Sequence, residues 1–224
     1  MNWKMTAVAA VAIGGCVGGP AAHATPLSWN AAVGGAPATG VTYVNFDNLA
    51  LGAAGGSSGG IVVSFTPDGQ AVQGAATEYA APYLSNGNGA QFGDDTNGPD
   101  TTTYLTTGLG SATLSFTGSE QYIGLLWGSV DPYNTLSLYN GTTLVGSITG
   151  SQITAAADGD QSINGTYYVN INSKVPFDRV VATSSQYAFE FDNVAYASDP
   201  VPEPRTLAVL IVGLTGLGLA RRRG

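Results

Sequence analysis

Thr135-Leu136-Ser137-Leu138-Tyr139-Asn140-Gly141-Thr142-Thr143-Leu144-Val145-Gly146-Ser147-Ile148 decides the fold class. Before Asn140-Gly141, apolar side chains recur at every second position, the period of a half-buried strand, and a second strand run follows. Asn-Gly between two such runs is the strongest short hairpin signal, because both residues accept positive φ in a type I′ turn. Thr113-Leu114-Ser115-Phe116-Thr117 alternates in the same way. Further strands are predicted over 42–49, 61–66, 121–128, 166–171, 177–183 and 187–196. Helical periodicity is nearly absent. Eight to ten short strands with glycine-rich turns predict an all-β fold, a single β-sandwich of the jelly-roll kind over 25–199. The stretch 52–60 reads as a flexible surface loop inside that domain, not as a linker.

Composition removes whole classes of function. The chain has 224 residues, of which 32 are glycine and 10% are charged. Residues 25–199 hold two basic against fourteen acidic side chains, a formal charge of −12. Such a surface repels phosphate backbones, so nucleic-acid binding is excluded. Cys16 and His23 are the only cysteine and histidine, and both fall in the predicted leader. The domain therefore has no disulfide, thiolate nucleophile, Ser-His-Asp triad or ordinary zinc site.

Both ends read as addresses. Lys4 followed by the apolar run 5–13, the helix breaker Pro20 and the small residues Ala22 and Ala24 predict a secretory signal peptide over 1–24, cut after Ala24. A competing cut at Cys16, after Ile13-Gly14-Gly15, would make a lipoprotein. At the other end, 206–220 is uncharged and mostly apolar. As a helix it spans about 22 Å, short of a hydrocarbon core of roughly 30 Å, and Arg221, Arg222 and Arg223 follow it. The arginines obey the positive-inside rule and hold the body on the outer side of the membrane. Val201-Pro202-Glu203-Pro204, a short Gly- and Leu-rich span and an arginine cluster resemble a PEP-CTERM sorting signal over 200–224. The resemblance implies an exosortase that recognises Pro-Glu-Pro and removes the tail. It also implies a precursor in the inner membrane of a Gram-negative bacterium that makes exopolysaccharide. A plain anchor that is never processed is the competing reading.

Two further patterns bear on the domain. Asn45-Phe46-Asp47-Asn48-Leu49-Ala50-Leu51 is echoed by Glu190-Phe191-Asp192-Asn193-Val194-Ala195-Tyr196. Either strand composition converges by chance, or the first and last strands pair. Residues 122–141 and 177–196 are also similar to a family of exosortase-dependent surface proteins, which implies fold and location but no substrate.

Calcium is the metal these residue types suit, since it takes six to eight oxygen ligands. Asp94, Asp95, Asn97 and Asp100, bent by Gly98-Pro99, form the candidate cluster, and Asp158-Gly159-Asp160 is a smaller one. Asx-rich turns explain both equally in kind. Asp192 joins the calcium candidates because the closing strand resembles that of carbohydrate-binding sandwiches, where an aspartate often holds a structural calcium. Trp127, within Leu125-Leu126-Trp127, reads as core, whereas Tyr133 in Asp131-Pro132-Tyr133-Asn134 reads as an exposed ring for glycan contact. Glu78, Glu120 and Glu190 are raw material for a glycosidase, but no spacing pairs them. The expected function is therefore a non-catalytic surface or matrix protein in the exopolysaccharide layer of a biofilm. The alternative is a lectin-like carbohydrate-binding module with calcium.

Overall fold

The computed structural model describes residues 26–94 and 96–202. Ala22, Ala24, Asp95, Glu203, Pro204, the predicted span 206–220 and Arg221, Arg222 and Arg223 lie outside the described residues. The chain is all-β. Its strands are β1 (Leu27–Ala32), β2 (Thr42–Val44), β3 (Gly56–Ser58), β4 (Ile61–Phe65), β5 (Gln70–Val72), β6 (Tyr83–Leu84) and β7 (Gly98–Pro99). They continue with β8 (Tyr104–Thr106), β9 (Ser111–Gly128), β10 (Asn134–Asn140), β11 (Thr143–Thr149), β12 (Tyr167–Ser184) and β13 (Glu190–Ala197). Among the described residues no helix is long and apolar enough to cross a membrane.

Eleven strands join in one antiparallel sheet, and β6 pairs with β7 separately. The long strands β9 and β12 pair twice, over 111–115 with 179–183 and over 122–127 with 167–172, with register breaks between. Each break starts a new leaf. The first half of β9 carries β4 on its free edge, and the second half of β12 carries β10 and then β11. The second half of β9 carries β13, and the first half of β12 carries β1. Alternate residues of both leaves face a common core, including Leu114, Phe116, Leu125, Trp127, Leu138, Val169, Val180 and Phe191. The leaves also touch at their edges. Leu27 of β1 lies where a Cβ on Gly146 of β11 would sit, and the Tyr196 hydroxyl donates to Gly59 O at 2.8 Å.

The second leaf is covered on both faces. Tyr122, Leu126, Tyr168 and Ala195 face outward into a smaller core closed by Leu84 and Phe92. Gly124 lies between the tyrosines, where an added Cβ would meet Tyr122 Oη at 2.6 Å and Tyr168 Oη at 2.9 Å. Those hydroxyls are committed, Tyr122 to Asn170 Oδ1 and Tyr168 to Asn193 O. Gly124→Ala should therefore cost about 1–3 kcal/mol through overpacking, read as a lower urea midpoint at unchanged slope.

Several expectations need correction. The β10–β11 hairpin forms, but Asn140 pairs with Thr143, so the two-residue turn is Gly141-Thr142. Only Gly141 takes positive φ, at 56°, which is the first position of a II′-like turn and not the predicted I′. The strand predicted over 42–49 stops at Val44, because residues 45–49 leave the sheet: Leu49 N–H turns back to Phe46 O. The stretch read as a loop, 52–60, contains β3 paired to β4. The first and last of the predicted strands do pair, β2 with β13 through Val44↔Val194, whereas the unanticipated β1 lies ahead of them and pairs with β12.

Candidate functional site

The closing strand carries a defect that shapes one site. β13 pairs with β9 through Asp192, then slips before Ala195, and Asn193 sits at φ 52°. On its other edge β13 takes β8 at Glu190 and Phe191, and β2 from Val194 onward. Asp192 therefore falls at the gap between two short strands, facing away from Phe191 and the main core.

Over this gap lies the loop between β6 and β7. Phe92 anchors it, packing edge-on against Tyr43 at 5.5 Å while its carbonyl accepts from Asn45 Nδ2 at 2.8 Å. Asp94 follows the anchor, and Asp100 follows β7 with its N–H donating to Pro82 O. Both aspartates use one oxygen locally: Asp94 Oδ1 accepts the Thr96 hydroxyl at 3.0 Å, and Asp100 Oδ1 accepts the Thr102 N–H at 2.8 Å and its hydroxyl at 2.7 Å. These are the Asx-type turns the sequence allowed. The other oxygens, Asp94 Oδ2 and Asp100 Oδ2, are buried without a donor, and Asp192 is buried with its carboxyl against that of Asp100 and the Asn193 amide.

Asp192 is fully buried and Asp100 is 2% exposed. Burial pushes the Asp192 carboxyl well above the carboxylate range, the neighbouring Asp100 carboxylate raises it further, and the Asn193 amide offsets only part. Burial likewise raises Asp94, with Asp100 and Asp47 adding to it. Asp47 was not anticipated at this site. Its oxygens accept from Thr103 N–H at 3.0 Å and Asn45 Nδ2 at 2.8 Å. The repeated Phe-Asp-Asn was the available signal: Phe46 meets Phe191 edge-on at 6.3 Å, and Asp47 acts on Asp192. Asn97 stands apart, exposed, accepting from Gly87 N–H at 3.4 Å. Among the described residues no group of three or more acidic, histidine or cysteine side chains is placed to hold a metal ion.

A second site opens at the end of β9. Two adjoining cavities of about 160 and 240 Å³ share Glu78, Tyr79 and Tyr187. Tyr133, Asp131, Asp158 and Glu190 line the smaller, and Asp68 and Gln70 the larger. Tyr133 is half-buried, not fully exposed as its turn suggested, because its hydroxyl reaches Tyr187 O at 3.3 Å. Tyr187 is 45% exposed and offers the freer ring. Glu190 is 2% exposed; its Oε1 accepts the Ala80 N–H at 3.1 Å and its Oε2 accepts the Ser129 hydroxyl. Burial pushes Glu190 up to about 7. Asp158 lies close enough to Asp131 to raise its pKa, after the larger effect of burial. Asp160 is an Asx turn, its carboxylate accepting the N–H and hydroxyl of Ser162.

The sequence missed this groove because its walls come from residues 68–79, 129–133, 158–161 and 187–190, brought together only by pairing in the sheet. Rings and hydrogen-bonding groups along one trough suit a polyhydroxyl ligand. The concentration of carboxylates disfavours a polyanionic one. No family model, curated protein or solved structure matches this chain.

Proposed function

We propose that this chain is a non-catalytic, exported protein of a Gram-negative cell surface. Signal peptidase would cut it at the leader, an exosortase would remove its tail, and a jelly-roll sandwich would be left in the exopolysaccharide layer in a structural or adhesive role. The observation that carries the reading is Val201-Pro202-Glu203-Pro204, its apolar span and its arginines. The placement of Val201 and Pro202, the last described residues, supports it. Asn172 grips the chain at Val201, accepting its N–H at 2.8 Å and donating to its carbonyl at 2.9 Å, and Pro202 follows exposed. A protease-like enzyme needs its recognition stretch to stand clear of the folded domain.

Lack of catalysis is argued from Glu190. Burial pushes its carboxyl up to about 7 beside other acids in a groove, as a glycosidase acid's would be. Both its oxygens are occupied and it is almost fully buried, so it has nothing free to present to a glycosidic oxygen.

Mass spectrometry of the protein from its own cells tests the sorting. Peptides beyond about Pro204 should be missing from wild-type cells and present in an exosortase deletion. A triple substitution, Pro202→Ala, Glu203→Ala and Pro204→Ala, should leave the precursor in the inner membrane. Normal maturation of that variant sinks the assignment.

The groove favours the lectin-like reading as a second role, for a neutral glycan. In native gels cast with neutral polysaccharide the protein should be retarded, and Tyr187→Ala should weaken the retardation constant about tenfold. Equal mobility of both proteins in every gel removes that role, and release of reducing sugar removes the non-catalytic one.

A further inference from the structure

The groove at the end of β9 continues past its two cavities. A third, of about 480 Å³, opens beside the smaller one, and Gln161 lines both. The segment 74–81 forms their shared wall: Thr77, Glu78 and Tyr79 line the smaller cavity, whereas Gly74, Ala75, Ala80 and Ala81 line the third. One trough therefore changes character along its length. Tyrosine rings and carboxylates give way to methyl groups and the ring of Pro99. Backbone bonds hold the third cavity open. The Tyr104 hydroxyl donates to Gly74 O, Ala76 N–H donates to Tyr79 O at 2.9 Å, and Glu190 accepts the Ala80 N–H at 3.1 Å. Pro99 is fixed by its pairing with Tyr83, and the Asp100 N–H donates to Pro82 O at 2.8 Å. Side chains of one carbon or none leave this space and have no rotamer to freeze when a ligand enters. Asp100 is the acid on this wall, 2% exposed and with Oδ1 held by Thr102. Gln161 is exposed, and its amide makes no hydrogen bond among the described residues. It sets a free carbonyl and a free NH2 at the junction of the two cavities.

We propose that the third cavity takes the acetamido group of an N-acetylated amino sugar, while the neighbouring sugar rings of a neutral glycan lie in the tyrosine-lined cavities. The inference rests on the lectin-like reading of the groove and names the sugar that reading leaves open. A secondary amide is the substituent whose donor and acceptor both match Gln161. Its N–H donates to Oε1, and its carbonyl accepts from Nε2. Its methyl group then enters the space among Ala75, Ala80, Ala81 and Pro99 and leaves water. A plain hydroxyl would leave that space unfilled and its lining without contacts. A free amine would be drawn by Glu78, Asp131 and Asp158 in the smaller cavity, but would lose its hydration among the alanines. Carboxylated or phosphorylated substituents are repelled by the same acids.

The test titrates the purified full chain by calorimetry with three tetrasaccharides of one backbone: cellotetraose, its N-acetylated counterpart chitotetraose, and the de-N-acetylated glucosamine tetramer. Chitotetraose should bind about tenfold tighter than cellotetraose, and tighter than the glucosamine tetramer. Ala75→Leu, at an exposed position on the wall, should fill the cavity and cancel that preference while cellotetraose binds as before. Gln161→Ala, also on the surface, should weaken chitotetraose about fivefold and leave cellotetraose unchanged, which keeps the test decisive if Ala75→Leu does not fold. Equal affinity of the wild type for chitotetraose and cellotetraose overturns the inference and leaves the lectin-like reading standing. Tightest binding of the glucosamine tetramer overturns it in favour of charge recognition by the carboxylates. A preference for chitotetraose that survives both substitutions overturns the placement in the third cavity. No binding of any tetramer overturns the inference too, and the gels cast with neutral polysaccharide decide separately whether the lectin-like role falls with it.

Discussion

Trp127→Ala should cost the domain about 3–5 kcal/mol, a large share of the roughly 5–15 kcal/mol that holds a domain folded. Trp127 is fully buried where both leaves meet, stacked on Phe189 at 4.1 Å with the planes 16° apart. Its neighbours across the sheet are Tyr167 in β12 and Phe191 in β13. Removing the indole opens a cavity walled by three strands that cannot collapse independently, so both lost burial and the void are felt. The melting temperature should fall by about 6–20 °C. Trp127→Phe separates ring volume from the indole N–H, which reaches Asn134 Oδ1 only at 3.4 Å. That milder change should cost about 1–2 kcal/mol. An alanine variant with a midpoint close to wild type would show that the ring lies outside the core.

Asn134→Asp should be comparably severe, for a different reason. Asn134 is fully buried at the start of β10, and each half of its amide is used. Oδ1 accepts the Asp131 N–H at 3.0 Å; Nδ2 donates to Ala188 O at 2.8 Å and Ser184 Oγ at 3.0 Å. This single side chain ties the turn at 131–133 to the segment before β13, and both line the groove. An aspartate has the same shape but turns the donor edge into an acceptor. It sets a carboxylate against the Ala188 carbonyl and buries an unpaired charge. The expected loss is about 3–5 kcal/mol at neutral pH. The new carboxyl should have a raised pKa in the folded state, so the variant's deficit relative to wild type is largest above that pKa. It should shrink as the pH falls toward 4, where the acid is protonated and can donate again. Urea midpoints of both proteins at pH 7 and pH 4 measure this difference. A deficit that does not change with pH would falsify the buried-charge explanation.

The hairpin at β10–β11 was legible because alternation and Asn-Gly are local signals. Its turn type was not, because the twist and register of the flanking strands selected Gly141 alone for positive φ. Asp94 and Asp100 were legible as a pair for the same local reason, since both lie in one short Asx-rich stretch, although Gly98-Pro99 between them is strand β7 and not the expected bend. Asp192 drew notice through a resemblance and through the echo, and Asp47 only through the echo, whose meaning was open. Their meeting depends on β2 pairing with β13 and on the slip after Asp192, neither of which leaves a trace in residue spacing. Glu190 looked like one acid among fourteen. Its burial and its bonds to Ala80 and Ser129 come from segments about 110 and 61 positions away.

By itself the sequence determined that this is an acidic, all-strand domain between two segments that read as export signals, because period-2 alternation, glycine punctuation and charge are properties of neighbours along the chain. Tertiary structure alone decided how β9 and β12 split into two leaves, where the buried carboxylates gather, and which tyrosines share a groove. Antiparallel pairing between strands distant in the chain sets each of those, and its energy depends on side chains that only the folded chain brings into contact.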